Sequence, residues 1–263
     1  MQKIKPLKKF GQNYLTDRNI LLKIVKEINP QHDDNLIEIG PGLGSLTEHL
    51  IDANPSLTAI EIDTRAVNIL KEKLPGLNVI QNDFLKIDLV SLKKPGTKIK
   101  VAGNIPYNIT SPIIFKLIEN HSLISDAIFM IQHDVALRMT ASAGNKSYGI
   151  LAVVLNKFCD VRLCFKVSPN VFYPKPKVNS ALIHIRFRDI EIKQYEKKIF
   201  IALVKAMFNT RRKTIKNSLS NSIFASLDFS NCGIDLTKRA EQLELNQFEE
   251  LSQFVINKNF QIE

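Results

Sequence analysis

Short apolar runs bounded by turn residues recur along the first half of the chain: NLIEI (35–39), LTAIEI (57–62), LNVIQ (77–81), KIKVA (98–102) and DAIFMI (126–131). Between them, Leu43–Ala53, Arg65–Leu74 and Ser111–Asn120 carry apolar residues three and four apart, the spacing of one helix face. Strands alternating with helices predict βαβ units and a parallel sheet covered on both faces. The predicted fold class is α/β, doubly wound and Rossmann-like. Beyond residue 150 the pattern changes. ILAVVLNKF (150–158) and SALIHIRF (180–187) predict two longer strands joined by the proline-rich SPNVFYPKPKV (168–178), an antiparallel pair closing one sheet edge. From about Tyr195 strand patterns stop, and KKIFIALVKAMF, RRKTIKNSLSNSI, KRAEQL and NQFEELSQFVINK all predict helices. The expected organisation is an α/β domain over 1–187 and a small all-α domain over 188–263.

With 263 residues, 44% of them hydrophobic and 24% charged, the chain can bury a core without staples and is neither disordered nor collagen-like. Its net charge of +10 changes the picture more, because such an excess points to a polyanionic partner: RNA, DNA or an anionic membrane face. The alternative is a merely solubilising surface. The excess is clustered. Lys3, Lys5, Lys8 and Lys9 come with no acid through residue 16, and Lys205, Arg211, Arg212, Lys213 and Lys216 share an acid-free stretch. Cys159, Cys164 and Cys232 are odd in number and lack CxxC spacing, and the five histidines show no ligand spacing, so no disulfide framework and no metal is expected. No apolar run approaches the roughly 20 residues of a membrane span, and the basic N-terminus leads into no long apolar segment. A cytoplasmic protein with no membrane attachment follows as the expectation.

The first predicted strand ends in EIGPGLGSLT (38–47), placing Gly40, Gly42 and Gly44 in a strand-to-helix turn. Glycines there let the backbone approach a ligand, and a helix N-terminus adds partial positive charge. The second strand ends in Glu61, nineteen residues after Gly42, where a carboxylate can accept from both hydroxyls of a ribose. The third leads to Asp83 in NDFL, placed to accept from an exocyclic amine such as that of adenine. A nicotinamide dinucleotide is the rival ligand, but its usual GxGxxG spacing is not met, since position 45 is Ser. GxGxG followed by acids at the ends of strands two and three resembles the class I methyltransferases, which implies S-adenosylmethionine as methyl donor.

The fourth strand leads into GNIPYNIT (103–110). The amino group of adenine is a poor nucleophile because its lone pair is delocalised into the ring. The Asn104 side-chain oxygen and the Ile105 carbonyl, held by the Pro106 bend, can accept its two N–H bonds and localise that pair on nitrogen, so that orientation and electrostatics carry catalysis. Tyr107 offers a face for an extruded base, a contact worth about 1–3 kcal/mol. The bland alternative is a capped turn with a packed tyrosine. Phe172, in SPNVFYPKPKV, is expected to clamp the other face of the base, with core packing as its rival and Tyr173 as the alternative clamp.

Together FGQNYLTD (10–17), EIGPGLGSLT, EID (61–63), NDFL, GNIPYNI, FYPKPKVNSA (172–181), FNTRRKTIKNSL (208–219) and RAEQL (239–243) resemble, in family order and over nearly the whole chain, the KsgA family of ribosomal RNA small-subunit adenine dimethyltransferases. One departure is Tyr14, where that family usually has Phe; it leaves the expected site unchanged. The resemblance implies that Asn13 and Leu15 help close the donor site and that Gly40, Glu61, Asp83 and Asn104 contact S-adenosylmethionine. It implies as substrate two adjacent adenosines in the hairpin loop near the 3′ end of 16S rRNA, each converted to N6,N6-dimethyladenosine on an assembling small subunit. A monomer is expected. Arg211, Arg212, Lys213 and Lys216 fall on a predicted helix with several on one side, as phosphate binding requires. Competing readings are a 23S rRNA resistance methyltransferase, a DNA adenine methyltransferase and a non-catalytic binding protein on the same scaffold.

Overall fold

The computed structural model describes residues 6–7 and 11–260. The expected N-terminal cation cluster of Lys3, Lys5, Lys8 and Lys9, and Phe10 of FGQNYLTD, lie outside the described residues. The chain divides into two compact units, one of Met1–Ala136 with Asp160–Arg188, the other of Leu137–Cys159 with Asp189–Glu263.

The first unit opens with β1 (Tyr14–Leu15) and α1 (Arg18–Ile28), a helix not predicted from the sequence. Asp17 caps α1 by accepting from the Ile20 N–H at 3.0 Å, and Leu21, Ile24 and Ile28 form its buried stripe. Then come β2 (Asn35–Ile39), α2 (Thr47–Ala53), β3 (Thr58–Glu61), α3 (Thr64–Lys73), β4 (Asn78–Gln81), β5 (Ile99–Asn104), α4 (Thr110–Glu119) and β6 (Ile124–Gln132). These are the predicted strand–helix alternations, with ends moved by a few residues. β2 is buried at every position, as an interior parallel strand must be. The seven-stranded sheet runs β4-β3-β2-β5-β6 in parallel and then adds β9 (Ser180–Phe187), antiparallel to β6, and β7 (Cys159–Val167) at the edge. Chain order reverses between β2 and β5, so their carboxyl ends open a crevice where ligands of such sheets bind. A separate two-stranded sheet pairs β1 with β8 (Phe172–Tyr173), Tyr14 opposite Tyr173 and Leu15 opposite Phe172.

ILAVVLNKF does not form a strand. It is helix α6 (Ile150–Phe158), which follows α5 (His133–Met139). A run whose first six residues are all apolar satisfies either period, and burial settles which one forms: residues Leu151 to Leu155 and Phe158 are all buried. The sheet-edge position falls instead to CDVRLCFKV, which is β7. In the second unit α6 packs on α7 (Gln194–Asn209) and α9 (Leu245–Asn257), with Phe158 edge-on to Phe200 and Phe208 stacked on Phe248 at 5.9 Å. This packing gathers 137–159 with the C-terminal residues, whereas the sequence assigned that segment to the first domain; the second piece of the unit starts at Asp189, beside the expected boundary. RRKTIKNSLSNSI forms only the short α8 (Ile215–Leu219), and KRAEQL a single 3₁₀ turn at Ala240–Gln242. No helix among the described residues is long and apolar enough to cross a membrane.

Candidate active site

At the carboxyl ends of β2, β3, β4 and β5 lies a cavity of about 210 Å³. Gly42 sits in its wall with φ +57°, and a Cβ there would lie 2.8 Å from the Tyr14 ring; both the conformation and the closeness require glycine. The Gly42 N–H donates to Glu61 Oε2 at 3.1 Å, and Glu61 Oε1 accepts from the N–H groups of Ile62 and Asp63 at 2.9 and 2.8 Å. Glu61 is 5% exposed. Burial raises its pKa, and the three backbone donors oppose that rise. Asp83 caps the 3₁₀ turn after β4 by accepting from the Leu85 N–H at 3.0 Å.

Asn104 ends β5. Its Nδ2 donates to the Asn13 carbonyl at 2.8 Å, which turns the amide oxygen to the opposite side. Gly103 places it there: a Cβ at Gly103 would stand 2.4 Å from the Ile39 carbonyl oxygen, so β2 and β5 approach as they do only because this side chain is absent. Pro106, at φ −57°, starts the turn, and the Tyr107 hydroxyl is tied to Ser180 Oγ at 2.7 Å. The Ser180 side chain is fully buried, so the ring has a fixed anchor on β9.

Asn13, Leu15, Gly40, Gly42, Glu61, Asp83, Asn104, Ile105, Pro106 and Tyr107 all line this one cavity. Phe172 does not. It is 5% exposed and belongs to the core cluster with Leu15 and Val167, because β8 turns it inward, whereas Tyr173 beside it is 63% exposed. The aromatic that this loop presents is Tyr173.

Sequence reasoning assigned no role to four residues in or beside the site. Glu38 lines the cavity and is pushed up to about 8 by burial; a carboxyl set between the apolar Leu36, Ile37 and Ile39 of a buried strand was the available signal. Gln12 donates to Asp63 at 3.0 Å. Asp63 caps α3, and the Arg65 guanidinium holds its carboxyl down at about 2. Tyr14 is the fourth. Among the described residues the lining carries the carboxyls of Glu61 and Asp83, beside a Glu38 that burial keeps largely protonated at neutral pH, and no Lys, Arg or His, a lining that favours a cation over a pyrophosphate. An adenosine bearing a sulfonium fits these residues: Glu61 for the ribose, Asp83 for the adenine amine, the acid-only lining for the charge.

In the second unit, Arg211, Arg212 and Lys213 occupy a turn ahead of α8 rather than a helix, so the expected shared helix face does not exist. Arg211 is engaged: its Nε donates to Glu241 at 3.0 Å and its Nη2 to the carbonyls of Tyr148, at 3.3 Å, and Lys146. Arg212, Lys213 and Lys216 are exposed.

A family model described as ribosomal RNA adenine dimethylase matches residues 3–257. The chain is 44% identical over 245 residues to the ribosomal RNA small subunit methyltransferase A of Prosthecochloris aestuarii, covering 93% of this chain and 92% of that one. It is 40% identical to the protein of the same name from Saccharophagus degradans, covering 96% and 95%. Among solved structures, a dimethyladenosine transferase from Plasmodium falciparum shares the fold at TM-score 0.78, with 24% identity and coverage of 95% and 99%. The 23S rRNA methyltransferase ErmE follows at TM-score 0.67, 26% identity and coverage of 91% and 98%. A match of this length makes the chain a member of the ribosomal RNA adenine dimethylase family, S-adenosylmethionine-dependent methyltransferases of the class I α/β fold.

Proposed function

We propose that this chain dimethylates the N6 amines of two adjacent adenosines in the 3′-terminal hairpin loop of 16S rRNA during assembly of the small ribosomal subunit. The observation that carries the reading is the bond from Asn104 Nδ2 to the Asn13 carbonyl. With its nitrogen so engaged, the amide has its oxygen left as an acceptor for an incoming exocyclic amine. Bound S-adenosylmethionine supplies an electrophilic methyl group on sulfur. The Asn104 oxygen and the Ile105 carbonyl accept the two N–H bonds of the adenine amine and draw its lone pair out of the ring. Tyr107, held by Ser180, supports the extruded base by stacking. No side chain need act as base, because the amine becomes strongly acidic only once the new bond forms, and water then takes the proton. These groups work by positioning and by electrostatics that strengthen as the reaction proceeds.

The 16S assignment is supported by relatives 40–44% identical over more than nine-tenths of both chains that carry the small-subunit name, against 26% for the 23S enzyme. In this reading Met1–Ala136 with Asp160–Arg188 is the catalytic unit, and the exposed Arg212, Lys213 and Lys216 of the other unit bind phosphates. The protein works in the cytoplasm, as a monomer, on the assembling subunit. The test is mass spectrometry of RNA from undermethylated small subunits incubated with labelled donor. Label on both methyl groups of two neighbouring adenosines in that loop is the expected result. Label on 23S rRNA or on DNA, or none at all, would overturn it.

A further inference from the structure

Lys116 directs its ammonium at backbone. Its Nζ donates to the Leu85 carbonyl at 2.9 Å and to the Ile87 carbonyl at 2.6 Å, and stands 5.7 Å from the centre of the Phe84 ring. These residues belong to the 3₁₀ turn that Asp83 caps and to its exit, and Asp83, Phe84 and Leu85 all line the donor cavity. The turn holds itself weakly at its far end. The Ile87 N–H reaches the Phe84 carbonyl only at 3.3 Å, beyond the usual range of about 2.7–3.2 Å for such bonds, and the last carbonyls of a short helix have no partner within it. An ammonium can satisfy them from outside.

Leu85 is therefore held on both sides: its carbonyl by Lys116, and its N–H by Asp83 Oδ1 at 3.0 Å. A shift of that residue shifts the carboxylate expected to meet the adenine amine. Lys116 reaches the turn from α4, which begins directly after the Tyr107–Ile109 turn. The helix is a firm anchor, since Ile113, Ile114, Leu117 and Ile118 are all buried. Ile113, three residues before Lys116 and on the same helix face, lines the cavity, whereas Lys116 is not among the described residues that do. Its effect on a ligand must pass through the turn. We propose that Lys116 is a positioning residue for the methyl donor, fixing Asp83 against the adenine amine by way of Leu85. This rests on the reading that Asp83 takes that amine of an adenosine-based donor.

The test is calorimetric titration of the parent, Lys116→Met and Lys116→Arg with two ligands: S-adenosylhomocysteine, and S-inosylhomocysteine, which carries an oxygen where adenine has its amine. Methionine, a good helix former of similar length, keeps α4 and removes the donor; arginine keeps donors on a side chain long enough to reach the same carbonyls. Lys116→Met should weaken S-adenosylhomocysteine about tenfold, the lower end of what a hydrogen bond to a charged group contributes, and leave S-inosylhomocysteine close to the parent's value. Lys116→Arg should recover most of the affinity for S-adenosylhomocysteine. Equal losses for both ligands in Lys116→Met would make the lysine a support of the fold alone and overturn the inference. No loss for either, or an arginine variant as weak as the methionine one, would overturn it too. A parent protein that binds both ligands equally would remove the partner assigned to Asp83, and this inference with it. Failure of the parent to bind S-adenosylhomocysteine at all would overturn the donor reading itself, an outcome distinct from the others.

Discussion

Replacing Gly103 by Ala adds one methyl group at the point where β5 hands the chain to Asn104. The added Cβ would stand 2.4 Å from the Ile39 carbonyl oxygen, with the Ile39 carbon and nitrogen at 3.3 and 3.4 Å. Real Cβ atoms essentially never come within 3.0 Å of another heavy atom, so more than half an ångström must be found. The obstructing atom is backbone in the centre of a parallel sheet, where no flexible side chain can swing aside. Overpacking of this kind costs about 1–3 kcal/mol, and the rigidity of both strands argues for the upper part of that range. At about 2–4 °C per kcal/mol for a chain of this size, the thermal midpoint should fall by roughly 5–10 °C. The parting of β2 and β5 also shifts Asn104 relative to Asn13, and misplacement of a positioned group by about 1 Å lowers turnover by about a hundredfold. Steady-state kinetics with labelled donor on undermethylated small subunits, alongside calorimetry of S-adenosylhomocysteine, separates the effects: kcat should drop far more than donor affinity. A variant with the parent's midpoint and kcat would refute the idea that this close approach places Asn104.

Three further outcomes are expected. Ser180→Ala leaves the Tyr107 hydroxyl without its partner at 2.7 Å and should destabilise by about 1–2 kcal/mol; kcat/KM for RNA should fall with donor affinity intact, checked by the same kinetics and titration. For Glu38 the folded pKa stands at about 8 against 4.5 in the unfolded chain. Between those values the unfolded state has released the proton and the folded state has kept it, so stability declines as pH rises through the window, by at most about 5 kcal/mol. Glu38→Gln should flatten denaturation midpoints between pH 4.5 and 8, and an unaltered slope would count against a protonated buried acid. Arg211→Ala, which breaks the ties to Glu241, Lys146 and Tyr148, should lower the melting temperature of the second unit, whereas Arg212→Ala with Lys213→Ala should leave it unchanged. The double variant should instead reduce the salt slope of RNA binding, by about one for each phosphate that is no longer neutralised.

Much of this protein could be read from local pattern. Periodicities of two and of three to four residues arise within single elements, so β2 to β6 and the helices between them were legible, and with them the strand ends that carry Gly40, Glu61, Asp83 and Asn104. A parallel sheet brings such ends to one edge by topology, which is why four separated motifs could be assembled without coordinates. Tertiary structure decided whatever depended on distant partners. The apolar ILAVVLNKF could be strand or helix until α7 and α9 offered it helical neighbours. Phe172 and Tyr173 alternate along one strand, and only the pairing of β8 with β1 determined which of them faces the core. The amide of Asn104 is oriented by a carbonyl 91 residues away, and Arg211 is engaged by groups 30 to 65 residues distant. Composition and spacing carry the preferences of a backbone segment; burial and hydrogen-bond partners belong to the folded whole, because only there is it decided which polar atoms still meet water.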